Sequence, residues 1–228
     1  GMVSTRRACS RALVALALAL PAAAVLVPSD ATASVSIAVG FELLVKDADA
    51  VAVLTPGEQT SVWEDGRIYT YTRVHVDRGV AGDIGAGADG WVRTMGGVVG
   101  KVGQLVDGEP VFVRDKASLV FMRKFKAGGV YEVSARAQGQ YPLKLDEATK
   151  QQRLIRSTAV GMLLPPKPSV ADAAASGATK PQSASVVVTD AVKTRLAQDV
   201  LHDRPLDEVA REIATTWTRL HPAASKAK

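Results

Sequence analysis

The chain has 228 residues, 47% of them hydrophobic, with a formal net charge of +5 and a single cysteine. That apolar content suffices for one well-buried domain with appendages, and it excludes a chain that is disordered throughout. The single cysteine excludes a disulfide framework within one chain.

Arg6, Arg7 and Arg11 precede an apolar run from Ala12 to Leu20, and Ala31-Thr32-Ala33 has the A-x-A form preferred for cleavage, so residues 1-33 read as a signal peptide cut near Ala33-Ser34. Pro21 interrupts the run, which is shorter than the roughly 20 residues of a spanning helix, so no stable membrane span is expected after cleavage. Arg6-Arg7 also fits a twin-arginine export signal, and the two export routes stay open. Losing Arg6, Arg7, Arg11 and Asp30 lowers the net charge from +5 to +3, so the high pI gives no argument for nucleic acid. Cys9 leaves with the leader, and the mature chain then relies on its core alone.

From Ser36 to Lys46, Ile37, Phe41, Leu44 and Val45 fall near helical spacing, which predicts a short leading helix. Ala50 to Leu54 and Thr60 to Trp63 read as one long, bent first strand. Glu64-Asp65-Gly66-Arg67 has Asp-Gly at its centre, the pair that suits the positive φ angles of a tight hairpin. Behind it Ile68, Thr70, Thr72, Val74 and Val76 alternate with Tyr69, Tyr71, Arg73, His75 and Asp77, a period of two that gives each set its own face. Gly79, Gly82, Gly85, Gly87 and Gly90 predict a loop, Trp91 to Thr94 a third strand, and Gly96 to Gly103 a second glycine-rich connection.

Further on, Leu119 to Met122 is a continuous apolar run, as expected of a buried central strand. A turn at Ala127-Gly128-Gly129 leads to an alternating stretch from Val130 to Ala137, and Tyr141 to Leu145 reads as one more strand. Short strands separated by turns predict a mainly β fold: a small OB-like antiparallel β-barrel of five or six strands over residues 34-160. Residues 161-187 read as a Pro/Ala/Ser-rich linker and 188-221 as a C-terminal helical pair. In the last helix Leu206, Val209, Ile213, Trp217 and Leu220 share one face, which must be buried; docking on the barrel is the plain expectation, and a partner-binding or membrane-surface helix is the alternative.

The order ELLVKDADAVAV, WEDGRIYTYT, VHVDRGVAG, GGVVG, FVRDKASLVFM and YEVSARAQGQY, spanning Ile37 to Leu145, resembles a group of uncharacterised exported bacterial proteins with an OB-like domain. More distantly it resembles the netrin-like module of tissue inhibitors of metalloproteinases, an OB-fold barrel. Those inhibitors chelate the protease zinc through a disulfide-anchored N-terminal cysteine. The mature chain has no cysteine, so no inhibitory residue carries over.

Gly85 to Gly90 matches the GxGxxG dinucleotide pattern, yet Trp91-Val92-Arg93-Thr94 after it favours a strand where that motif needs a helix. Gly96 to Lys101 fails as a phosphate loop, because Met95 and Val102 hold the places of its first glycine and its Ser/Thr. His75, His202 and His221 are the only histidines, His75-Val76-Asp77 offers no second imidazole, and no H-E-x-x-H or G-x-S-x-G is present. No catalytic residue, cofactor or metal site is therefore assigned.

The candidate partner-binding residues are Tyr69, Tyr71, Arg73 and His75, which project together if the alternate set fills the core; Glu64, Asp65 and Arg67 would extend that surface at the hairpin tip. The plain alternative is β-propensity, since tyrosine also stabilises exposed strands through cross-strand pairing. The leading expectation is a secreted or periplasmic, non-enzymatic binding module for a protein, an extracellular protease among the options, or a glycan. Two alternatives stay open: an exported enzyme using loop carboxylates such as Asp83, Asp89, Asp107 and Glu109, and a structural envelope protein with the helical tail as its attachment device. The oligomeric state is not readable.

Overall fold

The computed structural model describes residues 35–126, 128–166 and 194–222. The predicted leader and its cleavage site, and most of the predicted linker, lie outside the described residues. In chain order the elements are β1 (Val35–Ile37), α1 (Phe41–Asp47), β2 (Ala50–Glu64), β3 (Arg67–Gly82), β4 (Asp89–Met95), β5 (Gly97–Val99), β6 (Val102–Gln104), β7 (Ser118–Lys126) and β8 (Val130–Val133). A 3-10 turn (Arg136–Gly139), β9 (Gln140–Leu145), β10 (Gln152–Leu154), β11 (Met162–Leu164), α2 (Ala197–Leu201) and α3 (Leu206–Leu220) follow.

The fold is mainly β. Strands β2, β3, β4, β8 and β7 pair in that order, and β7 returns to β2, so five strands form a ring; β9 and β10 extend it from β7. All the ring pairs are antiparallel except β4 with β8. The parallel pair closes the ring over three residues only, Trp91–Arg93 against Val130–Glu132, and the β7–β8 ladder is shifted at Lys124/Lys126, so closure is uneven. This is the OB-like barrel expected of the short, turn-separated strands.

The hairpin forms as its residues dictate. Asp65 (φ 48°) and Gly66 (φ 75°) take the two left-handed positions of the turn, with Glu64 paired to Arg67 across it. Register shifts at Val51/Ala52, Val53/Leu54 and Pro56/Gln59 bend β2, which lets one strand serve both the ring and the long hairpin.

Two apolar cores explain the two unbroken apolar runs. Ala50, Ala52, Leu54, Val74, Val76, Val92, Val120 and Met122 fill the ring. Val51, Val53, Leu119 and Phe121, on the opposite face of the same strands, pack with Phe41, Leu44 and Val45 of α1 and with Leu201, Leu206, Val209 and Ile213. β2 and β7 are thus buried on both faces, so alternation vanishes from their sequences. The C-terminal helices dock on the barrel through the stripe predicted for them. Arg195 fastens them further, donating to Glu42 of α1 at 2.7 Å and to Glu212 of α3 at 2.7 Å.

Several boundaries differ from expectation. Ile37 is not helical; β1 pairs in parallel with β11, so Met162–Leu164, at the predicted start of the linker, is strand. β3 runs on through Gly79 to Gly82, because the first part of the predicted loop pairs with Ala50–Ala52. Gly96 to Gly103 turns back as the β5–β6 hairpin, and Gly97 lies so close to Ser61 and Thr70 that a Cβ there would overlap their hydroxyl oxygens. The alternation predicted from Val130 to Ala137 stops at Val133, where Ala135 and Arg136 take positive φ.

Candidate outer-face site on β3 and β4

Register settles which face carries what. On β3, Ile68, Thr72, Val74 and Val76 are buried, so Tyr69, Tyr71, Arg73 and His75 point outward together. β4 repeats the period: Tyr69, Tyr71, Arg73 and His75 stand opposite Met95, Arg93, Trp91 and Asp89. The four predicted residues therefore share one face, but they fall into two groups with different chemistry.

At the hairpin end Arg93 is the hub, with 8% of its side chain exposed. Its Nε and Nη2 donate to Glu64 Oε2 at 3.1 and 2.8 Å, and Nη1 donates to Glu132 Oε1 at 2.6 Å. The guanidinium carbon sits 3.4 Å from the Tyr69 ring centre and 4.3 Å from that of Phe125. Tyr71 Oη donates to the other oxygen of Glu64 at 2.6 Å. That hydrogen bond and those from Arg93 hold the Glu64 carboxyl below its ordinary range. Burial and the neighbouring Glu64 push the Tyr71 hydroxyl up. Burial opposes the charge on Arg93, but the bonds to Glu64 and Glu132 outweigh it and raise its pKa. Arg93, Glu64 and Glu132 are thus paired with one another, so this end is a braced support.

The other end is open. His75 Nδ1 lies 2.9 Å from Asp89 Oδ1 and Arg73 Nη2 donates to Asp89 Oδ2 at 3.3 Å, with each side chain about half exposed. His75 first, then Arg73, holds the Asp89 carboxyl below its ordinary range. Trp91 stands across from Arg73, half-buried. Asp77, next along β3 from His75, is taken by Thr55, whose hydroxyl donates to it at 2.7 Å.

Beyond Tyr69 a cleft of ≈ 230 Å³ opens between Arg93, Met95, Glu109, Arg123 and Arg136. Glu109 is committed there: it accepts from the Met95 amide at 2.8 Å and from Arg136 Nε at 2.5 Å. Of the four loop carboxylates of the enzyme reading, Asp89 is engaged by Arg73 and His75 and Glu109 by Met95 and Arg136. Among the described residues no three His, Cys, Asp or Glu side chains are grouped to hold a metal ion. No described helix is long and apolar enough to cross a membrane.

Sequence reasoning found the β3 stripe and missed its partners. Trp91 and Arg93 carried a usable signal, since β4 has the same two-residue period as β3. Glu132 and Phe125 carried none, because β7 and β8 reach this face only through ring closure.

The fold and the face together define an OB-like barrel with a docked C-terminal helical pair and an aromatic and charged outer surface on its second and third ring strands. No protein-family model, curated protein or solved structure matches the chain.

Proposed function

We propose that the chain is an exported, non-enzymatic binding module whose contact surface is the outer face of β3 and β4. The reading rests on one observation: Arg73, His75 and Asp89 stand half exposed beside Trp91, on a strand pair braced by the saturated Arg93 cluster. Tyrosine, tryptophan and arginine are enriched among the hot spots of protein interfaces, and OB-like barrels carry ligands across their second and third strands, which are β3 and β4 here. The partner is a protein, an extracellular protease among them, or a glycan. Export rests on the leader-like residues 1-33.

The test is a pull-down from native secreted and envelope material with the wild-type chain beside an Arg73→Ala/His75→Ala variant. Both side chains are about half exposed, so the variant is expected to fold and to lose the partner. A partner retained by the folded variant would remove this face from the reading. Tyr71 is a poorer choice for mutation, because its loss also strips a hydrogen bond from Glu64.

A further inference from the structure

The distal half of β2 has a free edge. β7 pairs with β2 only from Ala50 to Leu54, while β3 accompanies β2 to Glu64. Ile68 turns its backbone toward the β4 side, where its carbonyl accepts from Gly96 and its amide donates to Gln104 Oε1. By alternation Tyr69 and Tyr71 turn theirs toward Val62 and Thr60, so the N–H and C=O groups of Gln59, Ser61 and Trp63 point away from the sheet. Among the described residues none of these backbone groups has a partner. Natural edges are blunted by lysine, proline, a bulge or a covering segment. The stretch Gln59 to Trp63 has no lysine or proline, and the β5–β6 hairpin covers its face at Ser61 rather than its edge.

We infer that this edge pairs with the same edge of a second copy, antiparallel about a two-fold axis through Ser61. Three features select that occupant. The free stretch ends at the Pro56/Gln59 shift on one side and at the Asp65-Gly66 turn on the other, and only a register centred on Ser61 pairs all three outward residues, Gln59 with Trp63 of the second copy and Ser61 with itself. Gln59 to Trp63 is uncharged, so the two copies bring no like charges together across the paired residues. Trp63 is 52% exposed at the end of the stretch, and Val111 and Val113 are exposed on either side of Phe112, whose carbonyl accepts from Gln59 Nε2. The joined sheets would continue from one barrel into the other, leaving Arg73 and His75 solvent-facing, so the pairing is independent of the function proposed for that face.

Sedimentation velocity over a range of concentrations tests it. A reversible dimer is expected for the wild type. Trp63→Pro, which removes an edge amide, should raise the dissociation constant about tenfold or more, whereas Trp63→Ala, which keeps that amide, should weaken it less. A second measurement covers the case in which the proline variant does not fold. In a Cys9→Ser background, Thr60→Cys protein mixed with Val62→Cys protein should cross-link to each other faster than either does to itself, because this register places residue 60 of one copy opposite residue 62 of the other. A chain that stays monomeric at all concentrations, or cross-linking with no preference for the mixed pair, overturns the inference.

Discussion

Arg93 shows how one residue fixes a surface. Its guanidinium is removed from water yet bonded on every side to carboxylates that remain partly hydrated. Arg93→Ala is expected to destabilise the fold by about 2 kcal/mol, less than a fully buried pair would cost because Glu64 and Glu132 keep contact with water; a urea titration reads it. The lowered pKa of Glu64 gives this cluster a pH dependence. A carboxylate held below its unfolded value adds stability that is present above the ordinary glutamate range and is lost as pH falls through the folded value. Urea midpoints measured from neutral pH downward should therefore fall less steeply for Glu64→Gln than for the wild type. His75 and Arg73 lie outside this network, which is why their replacement should reach binding and leave stability nearly unchanged.

At the scale of elements, the hairpin and α3 are each built on a local rule that tertiary contacts then use. The turn rests on Gly66 at φ 75°, so Gly66→Ala should cost about 1 kcal/mol, seen as a lower denaturation midpoint with an unchanged slope. The β5–β6 hairpin rests instead on close approach. With Gly97 at φ 132° and no room for a Cβ between Ser61 and Thr70, Gly97→Ala should displace that hairpin, raising amide exchange at Val98 and Gln104 more than in the ring. In α3, Leu206, Val209 and Ile213 are buried as the helical stripe required, while Trp217 lies flat on His221 at 3.8 Å near the solvent end. Ile213→Ala removes a fully buried side chain and should cost about 3 kcal/mol.

For the whole molecule, the helical pair is part of the fold. Phe121 and Leu119 of the barrel share one core with Leu201, Val209 and Ile213. A chain ending after Leu201 would lose Leu206, Val209 and Ile213 from the core that covers the outer faces of β2 and β7. Such a chain is expected to be insoluble or to lack a cooperative thermal transition, measured by circular dichroism beside the full chain.

Local regularities were legible from the residues: the Asp-Gly turn, the two-residue period of β3, the apolar runs of β2 and β7, and the stripe on α3. Each arises from neighbours within a few positions along the chain, where backbone stereochemistry and face periodicity act directly. The outward set Tyr69, Tyr71, Arg73 and His75 was legible for the same reason. Its division into a satisfied support and an open group was not, because Arg93, Glu132 and Phe125 are brought there by strand pairing between residues distant in sequence. Only ring closure and helix docking decided which strands are covered on both faces and which edge of β2 is left unpaired, since those depend on which segments meet in space.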